Sequence, residues 1–297
     1  PLSPGKRRSR KGDGHGGFGG DDLMAEARRL IPISADWVLK RIQDGKKVRL
    51  KNALIKGDLD ISKLDLPTRH IERTESQKEM GLAEDVKIVQ SLIEITDSIF
   101  NGYFDFRNSI FSGYAEFEGA TFSEFVKFDG ATFSEYAGFE GATFSRDVIF
   151  DGATFSWYAW FNGTTFSKYA GVNGATFRDY VRFDGATFSE YAGFEGATFL
   201  SSDVNFKEAA FSSNVNFEEA SFSGDVRFDE ATFSEYAGFK GARFEGDVLT
   251  FRRATFISPL SQEEACRKAK NVLEKNGDRE EAGYHFYREM EAKRKQK

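Results

Sequence analysis

GATFSEYAGFE at residues 130–140 decides the fold, and its core returns as ATFSEYAGFK at 231–240. Phe133 and Phe139 anchor the first copy, and further anchors recur at spacings of five and six in alternation. The series runs Phe106, Phe111, Phe117, Phe122, Phe128, Phe133, Phe139, Phe144, Phe150, Phe155, Phe161 and Phe166. After Val172 it continues through Phe177, Phe183, Phe188, Phe194 and Phe199 to Phe256, giving 28 anchors in all. Two gaps, Phe199 to Phe206 and Phe244 to Phe251, stretch to seven. With 32 Phe against 3 Trp and 3 Met, one packing environment is repeated many times.

An α-helix turns about 100° per residue, so anchors about 5.5 residues apart fall on nearly opposite sides of it and form no stripe. In a strand the Ala two residues before each Phe shares its face, but an odd spacing would turn the next Phe outward. A corner must therefore reset the parity between anchors. Ser follows many anchors and Gly precedes many Ala, and both residue types suit corners. The chain is thus expected to coil with very short straight sides, each sending one Phe and one small residue inward.

The blocks Ala131-Thr132-Phe133-Ser134-Glu135 and Ala137-Gly138-Phe139-Glu140-Gly141 resemble pentapeptide repeats, in which a central Leu or Phe is flanked by a small residue and two corner residues. The resemblance implies an all-β solenoid, a right-handed four-sided β-helix, with the 28 anchors divided among seven coils. One extra residue after every second pentad implies coils longer by two residues than four plain pentads. GDLDISKLDLP at 57–67 and GDREEAGYHFYREMEAKRKQK at 277–297 are similar to segments of the subset whose β-helix precedes a membrane pore.

The extra residue shows a pattern of its own. Tyr is followed by Ala at 115, 137, 159, 170, 192 and 237, and Asp by Val at 148, 204, 226 and 248. We read this as one shared volume, filled by a ring folded over Ala or by Val itself. Gly119, Gly130, Gly141, Gly152, Gly163, Gly174, Gly185 and Gly196 repeat at another corner, where Glu208, Glu219, Glu230 and Arg253 stand in later repeats. Those replacements suggest that positive φ is not required there.

The ends differ from the body. Residues 1–22 are basic and then Gly-rich, with too little apolar content to pack, which predicts a disordered tail. Leu23, Met24, Ala27, Leu30, Trp37, Val38 and Ile42 have helical spacing, so residues 23–47 are expected to cap the first coil. Leu50, Ile55, Ile61 and Leu66 begin the repeat near residue 48, and the β-helix is expected to span 48–256. The charged stretch at about 67–87 reads as a loop thrown out of the coil. Residues 257–297 read as a helical hairpin. Ser261 to Glu264 is the expected capping box, Asn276-Gly277 the break, and Ala282, Phe286 and Met290 one face of the second helix.

Composition narrows the function. Residues 100–256 carry 12 basic and 23 acidic side chains, a net of −11, whereas residues 1–50 carry 12 and 6. An acidic rod disfavours direct nucleic-acid binding by its surface and suits a basic protein partner. Cys266 is the single cysteine, so no disulfide framework exists and a reducing, cytoplasmic setting is expected. No apolar run is long enough to span a membrane, unless the chain is the soluble part of a longer membrane protein. His15, His70 and His285 are the three histidines and lie far apart in sequence, giving poor material for catalysis or a metal cluster. No catalytic residue, cofactor or metal is expected.

Glu118, Asp129, Glu140, Asp151, Asp184 and Glu195 each follow an anchor and form a candidate acidic interaction surface. Some relatives implied by the resemblance copy the shape and charge of DNA to bind a topoisomerase. Here Asn162, Asn173, Lys207, Lys240 and Arg252 break the acidic columns. Thr121, Thr132, Thr143, Thr154, Thr165, Thr176, Thr187 and Thr198 offer only one outward Thr per side, a single file where ice binding would call for a flat double file. The sequence therefore favours a non-enzymatic β-helical scaffold with an unidentified protein partner. It leaves open a homodimer through a β-helix end or the C-terminal helices, a channel-linked cytoplasmic module, and a DNA mimic.

Overall fold

A computed structural model describes residues 30–297. Thirty-six short strands form four sheets, of 9, 10, 8 and 9 strands, that wrap one solenoid. Within one coil, face I carries Ala115–Glu116, face II Thr121–Phe122, face III Val126–Lys127 and face IV Thr132–Phe133. Ala137 then stacks beneath Ala115, and Phe133 lies against Phe155, so one coil closes two residues later than four plain pentads would. Ten strands on face II, spaced by about 4.8 Å, make a rod roughly 43 Å long. Both seven-residue gaps fall at the corner between faces IV and I, where one further residue enters the coil, as Val181 over Val204 and Val226 over Leu249 show.

The core is built from the Phe ladder. Every anchor predicted from Phe106 to Phe199 is buried, as is Val172. On face IV successive rings stack at centroid distances of 4.7 to 4.9 Å, as in Phe111, Phe133, Phe155, Phe177 and Phe199. Neighbouring ladders meet edge to face, with Phe155 and Phe161 at 5.9 Å and 82°. Parallel stacking along the axis and edge contacts across it satisfy both preferred ring geometries at once. Ala at the second inward position leaves room for the rings; Ala131, Ala142 and Ala153 have no exposed surface.

The glycine corners correct one expectation. At each, a four-residue turn closes through an amide-to-carbonyl bond, as from Ala142 N–H to Phe139 O at 3.0 Å, and its third residue is left-handed. Gly141 has φ of 61°, and Glu208, Glu219, Glu230 and Arg253 adopt 59°, 56°, 62° and 54°. Positive φ is required there after all. The later side chains accept the strain because the coils above and below fix the turn.

The Tyr pattern has a different cause from the one expected. Ala137 points inward, and the Tyr136 ring folds back outside the coil over Gly138, where a Cβ would lie 2.6 Å from Tyr136 Oη. Tyr169 lies over Gly171 and Tyr236 over Gly238 in the same way. The outward glycine two residues after the Tyr, not the Ala beside it, makes room for the ring.

The ends are closed by side chains as well as by helices. Ile31–Ser34, expected as part of a helical cap, is a strand that pairs with Ala53–Lys56 on face II. Pro32 disfavours a helical Ile31, and Ser34 instead starts the helix by accepting from Trp37 N–H. That helix, α1 (Ala35–Gln43), buries Ala35, Val38, Leu39 and Ile42 over the first coil. The expectations for residues 1–29, including the basic tail and His15, lie outside the described residues.

Residues 67–87 are not thrown out. Thr68–His70 pairs antiparallel with Asp85–Val89, and α2 (Glu75–Glu79) lies between them. This strap lies along the corner between faces III and IV. Arg73 donates to Asn108 Oδ1 and to Gly130 O, each at 3.0 Å, and Gln77 donates to Gly152 O at 2.8 Å. Leu82 and Met80 occupy the space that a Cβ on Gly152 or Gly174 would need, each approaching to 2.5 Å.

At the other end, α3 (Pro259–Lys275) and α4 (Arg279–Lys295) form the expected hairpin. Ser258, not Ser261, caps α3, since Pro259 starts the helix. Ser261 is buried and accepts from Ala237 N–H at 2.9 Å. Arg288 donates to Phe251 O and Ala254 O at 2.9 and 2.7 Å, and Lys268 to Ala242 O at 3.1 Å. These bonds satisfy backbone groups of the last coils that would otherwise offer an edge to another chain. On α4 the buried face is Glu281, Ala282, His285 and Glu289, while Phe286 is half-exposed.

Candidate interaction surface

The six acidic residues singled out in the sequence occupy two diagonally opposite corners. Glu118, Glu140 and Asp184 stand in one column at the corner of faces I and II, with Asn162 between them. Asp129, Asp151 and Glu195 stand at the corner of faces III and IV, the corner partly covered by the strap. Two of them bond within the rod itself: Asp151 Oδ1 accepts from Asn173 N–H at 2.8 Å, and Glu140 Oε1 accepts from Tyr136 Oη at 2.7 Å. Burial raises the pKa of Asp129, Glu140, Asp151 and Asp184, since each carboxylate is turned partly away from water. The six carboxylates thus stand in two separated columns, and some of them bond within the rod.

Face I carries a feature that the sequence reading treated as packing. Tyr136 and Trp160 meet edge to face at 5.4 Å, Tyr158 packs against Trp157 at 5.2 Å and against Tyr180 at 5.5 Å. Trp157 and Tyr180 are 42 and 41% exposed and Tyr136, Tyr158 and Trp160 are half-buried, so the cluster turns one side to solvent. Trp160 is the departure that makes it: it takes the outward position held by Gly138 one coil above. Without a glycine there, the Tyr158 ring lies against its aromatic neighbours. The signal was present in the sequence, in the three aromatics of Trp157-Tyr158-Ala159-Trp160.

Groups able to do chemistry are buried or isolated. Cys266 is buried on α3 and its thiol is pushed up to about 11, which suppresses the thiolate. His285 has no exposed surface, and burial lowers its pKa to about 4. Its Nε2 lies 3.4 Å from Glu281 Oε1, and Arg252 pairs with the same carboxylate. His70 sits on the exposed strap beside Asp85. Among the described residues, no group of three His, Cys, Asp or Glu side chains is arranged to hold a metal, and no helix is long and apolar enough to cross a membrane.

The family model for pentapeptide repeats matches in nine copies, over overlapping stretches from residue 106 to 255. That is half of the chain, and it coincides with the Phe ladder. The chain is a pentapeptide-repeat protein. No curated protein and no solved structure matches it. In this pentapeptide-repeat protein the repeat model begins at Phe106, yet the same four faces begin before it, face II at Ile31, face I at Val48, face III at Leu59 and face IV at Thr68. The strap and both caps lie outside the matched stretch.

Proposed function

We propose that this pentapeptide-repeat protein is a non-enzymatic scaffold that presents its rod surface to a protein partner in the cytoplasm. The observation that carries this reading is the solvent-facing aromatic cluster on face I. Large aromatic side chains gathered at a surface mark contact sites, because burying them on a partner recovers apolar area at little entropic loss. The rod behind them is rigid by construction: each coil is bonded to its neighbours on four faces and filled by stacked rings. Cys266 and His285 are buried in the C-terminal cap and His70 stands alone on the strap, which suits a surface made for recognition.

Affinity capture from native extract, with the full chain as bait at low and moderate salt, tests this. Recovery of one protein at a fixed ratio to bait, retained at moderate salt, is the expected result. Turnover of a small-molecule substrate by the purified chain, or no partner at either salt, would overturn it.

A further inference from the structure

Three carboxylates beside the aromatic cluster form no direct ion pair. Glu116 points outward on face I in register with Gly138, the glycine under the Tyr136 ring. Glu118 and Glu140 stand beside it at the corner with face II, and Tyr136 Oη donates to Glu140 Oε1 at 2.7 Å. Elsewhere acids on this face are paired: Glu94 with Arg49 at 2.7 Å, and Asp225 with Arg227 at 3.2 Å. Among the described residues, none of Glu116, Glu118 and Glu140 forms an ion pair. Glu94 and Glu118 repel Glu116, adding to the effect of its burial, and Arg49, which is paired with Glu94, offsets only part of this. Like charges held together against aromatic faces favour an incoming cation, and a planar guanidinium meets both needs at once.

The molecule shows how such a corner is filled. At the corner of faces III and IV, the strap seats the Arg73 guanidinium against Asn108 Oδ1 and Gly130 O, with Leu82 and Met80 against the glycines. The corner of faces I and II repeats the same turn at Gly141 and Gly163, with φ of 61° and 63°, and nothing lies within 4 Å of where their Cβ atoms would be. It has the acids and the shape but no strap.

We propose that Glu116 and Glu118, with Trp160 and the Tyr136 ring that Glu140 holds in place, form the docking site for an arginine-bearing segment of a partner protein. The assignment rests on the scaffold reading and names its surface. Charge complementarity selects a basic partner, and the rings select arginine over lysine.

The test is titration of the full chain with a nonapeptide containing three arginines, followed by calorimetry, beside the same peptide with citrulline in place of arginine. Saturable one-to-one binding is expected, with at least tenfold weaker binding by Glu116→Gln/Glu118→Gln. That variant relieves repulsion and keeps the fold. Glu195→Gln/Glu245→Gln, which removes the same charge elsewhere on the rod, is expected to bind as the parent does. Absence of saturation, equal binding of the citrulline peptide, or equal weakening by both double variants would overturn the site. Used as bait, Glu116→Gln/Glu118→Gln separates the two readings. Undiminished capture of the parent's partner overturns this surface and leaves the scaffold standing. If the parent captures nothing, the scaffold reading falls, and the peptide titration still decides the site.

Discussion

Gly152→Ala and Gly163→Ala share a conformation but differ in surroundings, so comparing them isolates the strap. Both glycines have φ of 63°. Alanine in the left-handed region costs about 1–2 kcal/mol, of which roughly 0.5–1 kcal/mol is regained because glycine loses more backbone entropy on folding. Gly163→Ala therefore costs on the order of 1 kcal/mol, since its methyl enters open space. At Gly152 the methyl would lie 2.5 Å from Leu82 Cδ1 and beneath the Gln77 bond to Gly152 O, so Leu82 and Gln77 must lift together. Leaving a buried amide unpaired adds about 1–3 kcal/mol. Urea unfolding followed by circular dichroism measures the two costs, and trypsin cleavage after Arg73 and Lys78 reports the strap directly. Gly152→Ala is expected to be the less stable and to be cut faster in the strap. Equal costs with equal cleavage would refute the seating of the strap on this corner.

Phe155→Ala removes a ring stacked at 4.8 Å on both Phe133 and Phe177, and we expect a loss of about 3–5 kcal/mol in urea titration; a loss below about 1 kcal/mol would place Phe155 outside the core. Glu208→Gly relieves a left-handed glutamate whose ion pair with Lys207 is exposed, so a gain of about 0.5–1 kcal/mol is expected from the same assay. The C-terminal hairpin should loosen in mild acid. His285 is held neutral with a folded pKa of about 4 against 6.5 unfolded, so its contribution is complete above pH 6.5 and lost as pH falls toward 4, up to roughly 3 kcal/mol. Glu281, Arg252, Arg288 and Asp229 face it, and Glu281 alone among the first three favours its protonation. The carboxylates of the rod shift the other way: Asp129, Glu140, Asp151 and Asp184 have raised values, so the rod gains stability as pH falls toward their ordinary range. Hydrogen exchange at pH 7 and pH 5 should show α4 losing protection while residues 106–199 do not, and uniform loss would contradict this.

The repeat was legible because its period is enforced by packing: Phe at alternating spacings of five and six fixes the sides, the corners and the length of the coil with no tertiary information. What escaped were contacts between segments remote in sequence. Nothing near Arg73 reveals that its partners are Asn108 and Gly130, so the strap read as a loop. Glu208 in a glycine column argued against positive φ, because local strain is visible only when neighbouring coils that hold the turn are known. The Tyr and Gly pairing is within reach of the sequence, since both lie in Tyr-Ala-Gly, but the adjacent Ala repeats as often and masks it. On the candidate surface, the acids were found one by one, whereas their division between two corners and the joining of Glu116 to Tyr136 and Trp160 need the coil.

The fold is a four-sided coil with Phe inside, each coil longer by two residues than four plain pentads. Deleting residues 177–198 joins Thr176 to Phe199, the residue that matches Phe177 one coil below, and removes a whole coil beyond the three glycine corners that the strap contacts. Deleting residues 177–196, the length of four plain pentads, joins Thr176 to Ala197 and breaks the register of every later ladder. Thermal unfolding by circular dichroism compares the two. The whole-coil deletion is expected to keep β-structure and one cooperative transition, and the four-pentad deletion to lose both. A four-pentad deletion as stable as the whole-coil one, or a whole-coil deletion that fails to fold, would contradict the coil on which every site described above depends.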